Sequence, residues 1–433
     1  MPEPHLKRTK IAFFGHFGAG NFGNEATFQA MLWNIRRFVP DAEMMCVTTF
    51  PMKVAEDYGI AAIPANDVVV ESWDLRNPVA KFARKLFVGI PSEIFRWFKA
   101  VKALWHVHIF IVVGTGLLTD SFCLNSWGPY SVFKWSVAAK LCRCKVFFVS
   151  AGAGPLDTSL GRTLIKSALS MGNFRSYRDQ ATRDYLEGIG FRRQTDRVFP
   201  DLAFSLPPTA LPQIAPRQGG RPVVGLGLME FGGLYGIEKT TANQYSAYLD
   251  TLVGFVERLL FCGYDIRLLI GELTDEHAVA KFQSLLKDRT IGQDRVTSEP
   301  ITSTENLLSQ LAETDFVVAT RFHNVLLSLL LNKPTISISF HHKCSSLMAQ
   351  MGLSGYCQDI QKLSGQRLAE QFTELEKNAN ALKRVMNAKV AEFRNALEEQ
   401  YSIIFNAHLP LPVPAVDQPR HEFASTTSGH ERS

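Results

Sequence analysis

The chain has 433 residues, of which 46% are hydrophobic and 20% are charged. This composition is typical of a globular protein, and the length exceeds what one hydrophobic core usually serves, so we expect two domains of about 200 residues each. The formal net charge of +5 suits an anionic substrate or a membrane surface, but it is too small to indicate a nucleic-acid-binding protein.

Targeting and cysteine signals point to a cytoplasmic protein. The first ten residues are polar, and no stretch reaches the roughly 18 uncharged apolar residues of a transmembrane helix. The seven cysteines lie mostly in apolar runs, and "CRC" at 142–144 lacks the C-x-x-C spacing of zinc or redox motifs. We therefore expect no obligatory metal and no cofactor.

The amino-terminal half of the chain alternates short apolar runs with longer amphipathic segments. The apolar runs end in glycine or small polar residues, which is typical of buried parallel strands. These runs lie at 11–15, 44–50, 109–114 and 146–152. Segments 25–38 and 131–143 have helical periodicity. The alternation predicts an α/β fold.

A second series of the same kind follows. Its apolar runs lie at 222–229, 265–271, 315–320 and 334–340. Its helical segments include 245–263 and 324–332. Residues 205–221, between the two series, are rich in proline and glycine and are expected to form an interdomain linker.

We therefore predict an α/β protein of two Rossmann-like parallel-sheet domains, residues 8–204 and 222–406, that face each other across a cleft. The second domain ends in long helices from residue 365 onward, and 407–433 is expected to be a disordered tail. Ligands of open parallel sheets bind at the carboxyl ends of the strands, so we expect the functional residues there.

The hexapeptide "GAGNFG" at 18–23 matches the G-x-G-x-x-G pattern of dinucleotide-binding loops. That fold needs the glycines directly after the first strand and an acidic residue at the end of the second. Here His16 and Phe17 intervene before the loop, and the second strand ends in two threonines without a carboxylate. We therefore exclude a nicotinamide dinucleotide as ligand.

The glycine-rich loop can still bring the backbone close to a ligand, because a helix with unpaired N–H groups follows it. We expect Asn24 to be the N-cap of this helix. Asn21 and Glu25 are then free to contact the ligand.

Four stretches, in this order and spacing, resemble the polysaccharide pyruvyl transferase family. They are "GHFGAGNFGNEA" (15–26), "VVGTGLLTD" (112–120), "SYRDQATRDYLEGIGF" (176–191) with "VFPDLAFSL" (198–206), and "DFVVATRFHNVLLSLLLNKPTISISFHHK" (315–343). The most specific part is R-x-H followed by an apolar helix, "NKP", a strand and a lysine. The resemblance covers both expected domains.

This resemblance implies a two-domain fold similar to GT-B glycosyltransferases and a reaction on phosphoenolpyruvate. Family members transfer the enolpyruvyl carbon skeleton to two hydroxyls of a sugar, forming a pyruvate ketal and releasing phosphate. The donor would lie on the second domain. The acceptor, a sugar of a bacterial surface or exopolysaccharide precursor, would lie on the first.

The resemblance also implies the donor-binding and catalytic residues. Phosphoenolpyruvate carries a carboxylate and a phosphate, which planar arginine forks suit, so Arg178 and Arg321 are expected to bind it and Lys343 to add a third cation. His323, with Arg321, is the candidate catalytic residue, because histidine can protonate the methylene carbon or accept protons from the hydroxyls. An ion pair for Arg321, pairing of Arg178 with Asp179 and a solvated Lys343 are the simpler alternatives.

On the first domain, Asn21, Glu25, Asp120 and Trp127 are the candidate acceptor-binding residues. The carboxylates could instead be loop caps, and the tryptophan could belong to the core.

The chain departs from the family pattern at two positions. Asn24 stands where the family usually has aspartate, and an amide cannot act as a base. Thr115 lies inside the usual glycine run, which predicts a slightly different loop shape.

Residues 76–102 contain seven Lys or Arg against one acid, interleaved with aromatic residues. A basic, aromatic amphipathic segment can lie on an anionic membrane, where it would bring the enzyme to a lipid-linked oligosaccharide acceptor at the inner face of the plasma membrane. The alternative is an ordinary helix pair with a solvated basic face.

Two other functions fit the same fold. One is a GT-B glycosyltransferase with a nucleotide-sugar donor, because a fold does not fix the chemistry. The other is a non-catalytic glycan-binding protein.

Overall fold

A computed structural model describes residues 8–66, 77, 85–120, 128–213, 219–231, 242–287, 289 and 293–408. Within them the chain forms two parallel sheets, each with helices packed on both faces. The α/β fold class and the two-sheet architecture are thereby confirmed.

The first sheet has seven strands in the order β3-β2-β1-β4-β5-β6-β7. They are β1 (Lys10–Phe14), β2 (Glu43–Thr48), β3 (Ala61–Pro64), β4 (Ile109–Val113), β5 (Lys145–Ala151), β6 (Phe174–Tyr177) and β7 (Arg197–Val198). The helices between them are α1 (Phe22–Phe38), α2 (Pro51–Tyr58), α3 (Ile90–Leu104), α4 (Gly128–Leu141), α5 (Ser159–Ser170) and α6 (Gln180–Gly188).

The second sheet has six strands in the order β10-β9-β8-β11-β12-β13. They are β8 (Val223–Gly227), β9 (Asp265–Leu269), β10 (Val296–Thr297), β11 (Phe316–Ala319), β12 (Thr335–Ser339) and β13 (Cys357–Asp359). The helices are α7 (Ala242–Phe261), α8 (Glu276–Lys287), α9 (Thr304–Ala312), α10 (Phe322–Leu330), α11 (His342–Gln350), α12 (Gly365–Lys377) and α13 (Ala379–His408).

The strands are apolar runs because both of their faces are covered. β4, β8 and β12 are buried along their whole length, as expected of parallel strands that lie between two helical layers. The strand order reverses between β1 and β4 in the first sheet and between β8 and β11 in the second. These reversals create the crevices in which doubly wound folds bind their ligands.

The helical stretch expected from residue 365 onward forms two helices, α12 and α13. The last of them returns to the first sheet. Ser176, on β6, donates a hydrogen bond to the Gln400 side-chain oxygen at 2.6 Å, and the rings of Phe38 and Phe405 stack 5.3 Å apart. A helix that the sequence places with the second domain therefore also packs on the first.

The proposed domain division stays a prediction. Residues 214–218 of the expected linker lie outside the described part of the chain. Residues 409–433 of the expected tail lie outside it as well.

Candidate functional site between the two sheets

The carboxyl ends of the two sheets meet through a short backbone bridge. The Phe22 amide donates to the Gly271 carbonyl, and the Leu273 amide donates to the Gly20 carbonyl, both at 3.1 Å. Thr304, at the start of α9, adds a side-chain hydrogen bond to the Phe22 carbonyl at 3.0 Å. The loop after β1 is thereby fastened to the loop after β9.

The conformation of the glycine-rich loop 18–23 allows this bridge to form. Gly18 and Gly20 adopt φ angles of +77° and +75°, which residues with side chains rarely adopt. Gly23 lies directly under the imidazole of His323, so any Cβ at this position would overlap the ring. Gly20 and Gly23 therefore fit the loop to Leu273 and His323 of the second domain, whereas Gly18 fits it against Phe50 of the first.

A narrow cleft, partly open to solvent, lies beside this bridge. Its walls include Arg178, Asp201, Phe322 and Lys343. The first two follow strands of the first sheet, and the last two begin helices of the second. Two of the four predicted donor-site and catalytic residues, Arg178 and Lys343, thus line one cavity.

Arg178 is buried with part of its guanidinium unpaired. Nη1 donates to Asp201 at 3.3 Å, and Nε lies 3.8 Å from a carboxylate oxygen of Asp179. The guanidinium also stacks 4.9 Å above the Phe322 ring. Nε and Nη2 are buried and make no hydrogen bond within the described residues. The alternative pairing with Asp179 is therefore present, but it leaves two donors unused.

Gly152 leaves room for this guanidinium beside the end of β5. A Cβ built on Gly152 would lie 2.7 Å from Nη2 of Arg178. Only a glycine admits the guanidinium so near the end of β5. Buried donors without partners are costly, so the orientation of Arg178 suits a bound acceptor group.

Lys343 lies in the first turn of α11 and extends toward the second glycine-rich loop of the first domain. A Cβ built on Gly116 would lie 3.0 Å from its Nζ. Burial of the ammonium and, second, the positive charge of Arg178 lower the pKa of Lys343 to about 7, against the opposing effect of Asp179. The solvated alternative for this lysine does not fit, because its charge is desolvated between two domains.

His323 lies in the first turn of α10, against the backbone of α1 at Gly23. Burial lowers the pKa of its imidazole to about 4; Asp201 opposes this shift and the cations Arg178 and Lys343 reinforce it. The ring is therefore neutral at pH 7 and can accept a proton.

Arg321 is not one of the cleft cations. Its guanidinium donates to Asp275 at 2.6 and 2.9 Å and to Glu272 at 2.8 Å. All three residues are buried. The ion-pair alternative for Arg321 is therefore present, with two carboxylates around one guanidinium, and the donor-binding and catalytic roles of Arg321 stay predictions.

The N-cap of α1 is also corrected. Asn21, not Asn24, is the cap: its side-chain oxygen accepts from the Asn24 amide at 3.1 Å. Its side-chain nitrogen donates to Glu272 at 2.8 Å. Both polar groups of Asn21 are thus engaged within the protein, and Asn24 donates to the His16 carbonyl at 3.3 Å.

Glu25 anchors the glycine-rich loop from behind. Its carboxylate accepts from the Gly18 amide at 2.7 Å and from the Tyr58 hydroxyl at 2.6 Å. Burial raises the pKa of Glu25, partly offset by these two hydrogen bonds. The loop-cap alternative accounts for these contacts.

Asp120 has a similar role in the second loop. Its carboxylate accepts from the backbone amides of Asp157 and Thr158 at 2.7 and 3.0 Å and so orders the turn before α5. An acceptor role for Glu25 or Asp120 stays a prediction, and Trp127 lies outside the described residues.

Three carboxylates of this site were not singled out from the sequence. Glu272 and Asp275 hold Arg321, and Asp201 contacts Arg178. Each follows a strand of a parallel sheet, β9 or β7, within a few residues. The strand-end rule that selected Arg321 would have selected them as well.

Within the described ranges, no group of three or more His, Cys, Asp or Glu side chains is arranged to hold a metal ion. The expectation that the chain needs no metal or cofactor stays a prediction. Among the described helices, none is long and apolar enough to cross a bilayer.

Comparison with solved structures shows the fold. A glycosyltransferase from Rickettsia africae superposes with a TM-score of 0.53 at 10% identity, covering 92% of this chain and 99% of that one. MnaA of S. aureus, solved with UDP, gives a TM-score of 0.56 at 12% identity, covering 92% of this chain and 96% of that one. The architecture is therefore GT-B-like.

Comparison of sequences shows the family. The amylovoran biosynthesis protein AmsJ of Erwinia amylovora is 21% identical over 390 residues, which are 82% of this chain and 89% of that protein. The family model for polysaccharide pyruvyl transferase matches residues 21–342, about three quarters of the chain, from the N-cap of α1 to the start of α11. The chain belongs to the polysaccharide pyruvyl transferase family.

Proposed function

We propose that this protein transfers pyruvate from phosphoenolpyruvate to a sugar of a surface or exopolysaccharide precursor, as a ketal, with release of phosphate. The observation that carries the proposal is the buried Arg178 guanidinium, with two donors unpaired, in the cleft that also receives Lys343. Membership of the family supports this reaction class, and the cleft is the proposed binding place of the donor.

Arg178 and Lys343 supply two cations to the cleft that suit a small anion, while Asp179 and Asp201 balance part of their charge. Arg178 offers a planar pair of N–H donors, which match a carboxylate or phosphate edge. Lys343 offers a compact charge on the opposite domain. Burial destabilises the charged forms of the Arg178 guanidinium and the Lys343 ammonium. An anion bound between them would offset this desolvation free energy. The proposed donor carries both a carboxylate and a phosphate.

Two titrating groups divide the proton transfers. His323 is neutral at pH 7, because the pKa of its buried imidazole is about 4, and acts as the base that takes a hydroxyl proton. Lys343, whose pKa is about 7, acts as the acid that protonates the methylene carbon. Groups whose environments separate their pKa values in this way are suited to opposite roles.

The bonds balance as follows. The first sugar hydroxyl oxygen bonds to C2 of the donor as the methylene carbon gains a proton and becomes a methyl group. The bond from C2 to the phosphate oxygen then breaks and phosphate leaves. The second hydroxyl oxygen takes its place on C2 and gives up its proton to the now neutral Lys343, which closes the ketal, and the proton that His323 took from the first hydroxyl leaves with the phosphate.

Arg321 has a positioning role in this scheme. It is the N-cap residue of α10, and its ion pairs with Glu272 and Asp275 fix the turn that presents His323. It acts through the histidine rather than on the donor.

A GT-B glycosyltransferase activity is the second candidate. It is favoured by the architecture shared with a glycosyltransferase and a UDP-bound protein, although likeness at this identity concerns the fold alone. AmsJ, by its name, serves amylovoran biosynthesis, which supports an exopolysaccharide acceptor for this chain.

The test incubates the purified protein with carbon-labelled phosphoenolpyruvate and lipid-linked oligosaccharides extracted from the source cells. We expect phosphate release with transfer of label to the glycan, and we expect His323→Gln to lose both. Label transfer from a nucleotide sugar, with none from phosphoenolpyruvate, would establish the glycosyltransferase instead. Glycan binding without transfer from either donor would establish a binding protein.

A further inference from the structure

We propose that the outer face of α3, together with the π-helical turn before it, binds the surface of an anionic phospholipid bilayer. This docking face is defined by Phe87, Ile90, Ile94, Phe95, Phe98, Lys99, Lys102 and Trp105. The inference concerns residues outside the cleft and does not depend on the reaction proposed for it.

The docking face carries a continuous apolar stripe. Phe87 is 74% exposed, Ile94 65%, Phe98 62% and Trp105 65%. Ile90 lies between the first two and is also exposed. The spacing of three, four, four and seven residues aligns all five side chains on one side of the helix. Contiguous exposed apolar surface of this kind marks an interaction site rather than ordinary solvent exposure.

The opposite side of α3 is fixed to the first domain, so the stripe cannot turn inward. Ala100 and Leu104 are buried. The Trp97 indole donates to the Tyr130 hydroxyl at 2.9 Å, and that hydroxyl donates to Glu93 at 2.6 Å. The helix therefore has a completed inner face and a separate outer one.

The charge beside the stripe favours an anionic partner. Between residues 85 and 105 the sequence has four Lys or Arg and a single acid, Glu93. That acid is paired with Arg96 at 2.9 Å and approached by Lys134 at 3.5 Å. Lys99 and Lys102 are exposed next to the stripe, with the Lys99 ammonium 5.0 Å over the Phe95 ring. Apolar and aromatic side chains flanked by cations are typical of helices that lie in a bilayer interface.

The docking face begins at the edge of the sheet that carries the cleft. α3 connects the parallel strands β3 and β4, so its amino-terminal end lies near the carboxyl end of β3. The contacts agree: Lys134 donates to Asn66, just after β3, at 3.1 Å and lies 3.5 Å from Glu93 in the first turn of α3. A bilayer on this face would lie against the first domain near the carboxyl end of β3, whereas the cleft residues Arg178 and Asp201 follow β6 and β7 at the other side of the same sheet.

The structure refines the segment expected from the sequence. The basic, aromatic region was placed at 76–102, of which residue 76 and residues 78–84 lie outside the described part of the chain. In the described part, the exposed stripe runs from Phe87 to Trp105.

The test measures sedimentation of the full chain with vesicles of phosphatidylethanolamine containing about one third phosphatidylglycerol, and with neutral phosphatidylcholine vesicles. We expect the wild type to bind the anionic vesicles. Ile94→Ser/Phe98→Ser should reduce the partition coefficient about a hundredfold, because two apolar side chains no longer enter the interface. Lys99→Glu/Lys102→Glu should reduce it about thirtyfold or more on anionic vesicles only.

Matched variants elsewhere on the surface serve as controls. Phe261, at the end of α7, is 91% exposed, and Phe261→Ser should bind vesicles as the wild type does. Lys377→Glu/Arg384→Glu, at exposed positions on α12 and α13, changes the net charge by the same amount as the α3 charge reversal and should also have no effect. All the substituted side chains are exposed, so melting temperatures should stay within a few degrees of the wild type.

Failure of the wild type to bind anionic vesicles would overturn the proposal, as would equal losses in the α3 variants and their controls. Binding that is lost by charge reversal but kept by Ile94→Ser/Phe98→Ser would show electrostatic adsorption without an apolar docking face. A dimer in solution that dissociates in Ile94→Ser/Phe98→Ser would assign the face to a second copy of the chain and also contradict the proposal. None of these readouts requires turnover, so they remain separate from a failure of the pyruvyl-transfer proposal.

Discussion

The imidazole of His323 packs against the backbone of Gly23, so that the first turn of α1 and the first turn of α10 touch across the two sheets. The two residues come from different domains and are 300 positions apart in the sequence. The third glycine of the "GAGNFG" loop is therefore required by a histidine of the opposite domain, which accounts for a glycine at this position without invoking a dinucleotide ligand.

Gly23→Ala is expected to displace His323 and reduce kcat by about a hundredfold, because the new Cβ would occupy the position of the ring. Gly254→Ala is the matched control. Gly254 is exposed within α7, and a Cβ there meets nothing within 4 Å, so this variant should keep full activity and gain up to about 1 kcal/mol of stability. Phosphate-release kinetics and urea unfolding check both. An unchanged kcat in Gly23→Ala would show that the position of His323 is not important for catalysis.

Arg178→Lys is expected to raise KM for phosphoenolpyruvate and to lower kcat/KM by about a hundredfold, since an ammonium cannot replace the planar donor pair. Arg183→Lys provides the comparison. Arg183 is half-buried on α6, where it pairs with Glu187 at 3.2 Å outside the cleft, and its replacement should leave kcat/KM within about twofold. Equal kinetics in the two variants would contradict the assignment of the anion site to Arg178.

The stability of the ligand-free protein should depend on pH through Lys343. Its pKa falls from 10.5 in the unfolded chain to about 7 in the folded one, so the unfolded state binds more protons between these values. The contribution of Lys343 to stability should therefore rise with pH from about 7 to 10.5, while buried thiols such as Cys344, whose pKa burial raises, act in the opposite direction at the upper end of this range. In Lys343→Met this dependence should disappear, and the variant should be more stable than the wild type at pH 6. Urea unfolding across this pH range checks the sign, and identical pH profiles would show that Lys343 is solvated.

Asn21 should contribute to stability twice, as the cap of α1 and as the donor to Glu272. Asn21→Ala is expected to lose about 1 kcal/mol for the cap and about as much again for the hydrogen bond to the carboxylate. Asn21→Ser keeps a capping hydroxyl, but the serine side chain is too short to reach Glu272. This variant should therefore lose only the stability contributed by the hydrogen bond to the carboxylate. Urea unfolding measures both. If the serine variant is as stable as the wild type, the hydrogen bond from Asn21 to Glu272 contributes nothing to stability.

The fold was predictable because its signals are local. Continuous apolar runs mark β4, β8 and β12, since parallel strands covered on both faces need no polar residues. The order of the strands and the return of α13 to the first sheet depend on long-range packing, for which a single sequence carries no local signal.

The candidate site was predictable only in part. Arg178, His323 and Lys343 follow strands and were identified with the help of the family resemblance. The partners of Arg321 were missed because Glu272 and Asp275 lie nearly fifty residues away in the sequence and approach it only through tertiary packing. The choice between Asn21 and Asn24 as cap rests on the backbone geometry of the turn, because asparagine is equally favourable at either position.

The most direct test of the account is calorimetric titration of the wild type and Arg178→Lys with phosphoenolpyruvate, UDP and inorganic phosphate. The account predicts that phosphoenolpyruvate binds the wild type with a defined stoichiometry, more tightly than phosphate, that Arg178→Lys loses at least about tenfold in affinity, and that UDP does not compete. Binding of UDP that displaces phosphoenolpyruvate, or equal affinity of both proteins for phosphoenolpyruvate, would contradict the assignment of the Arg178 and Lys343 cleft as the donor site.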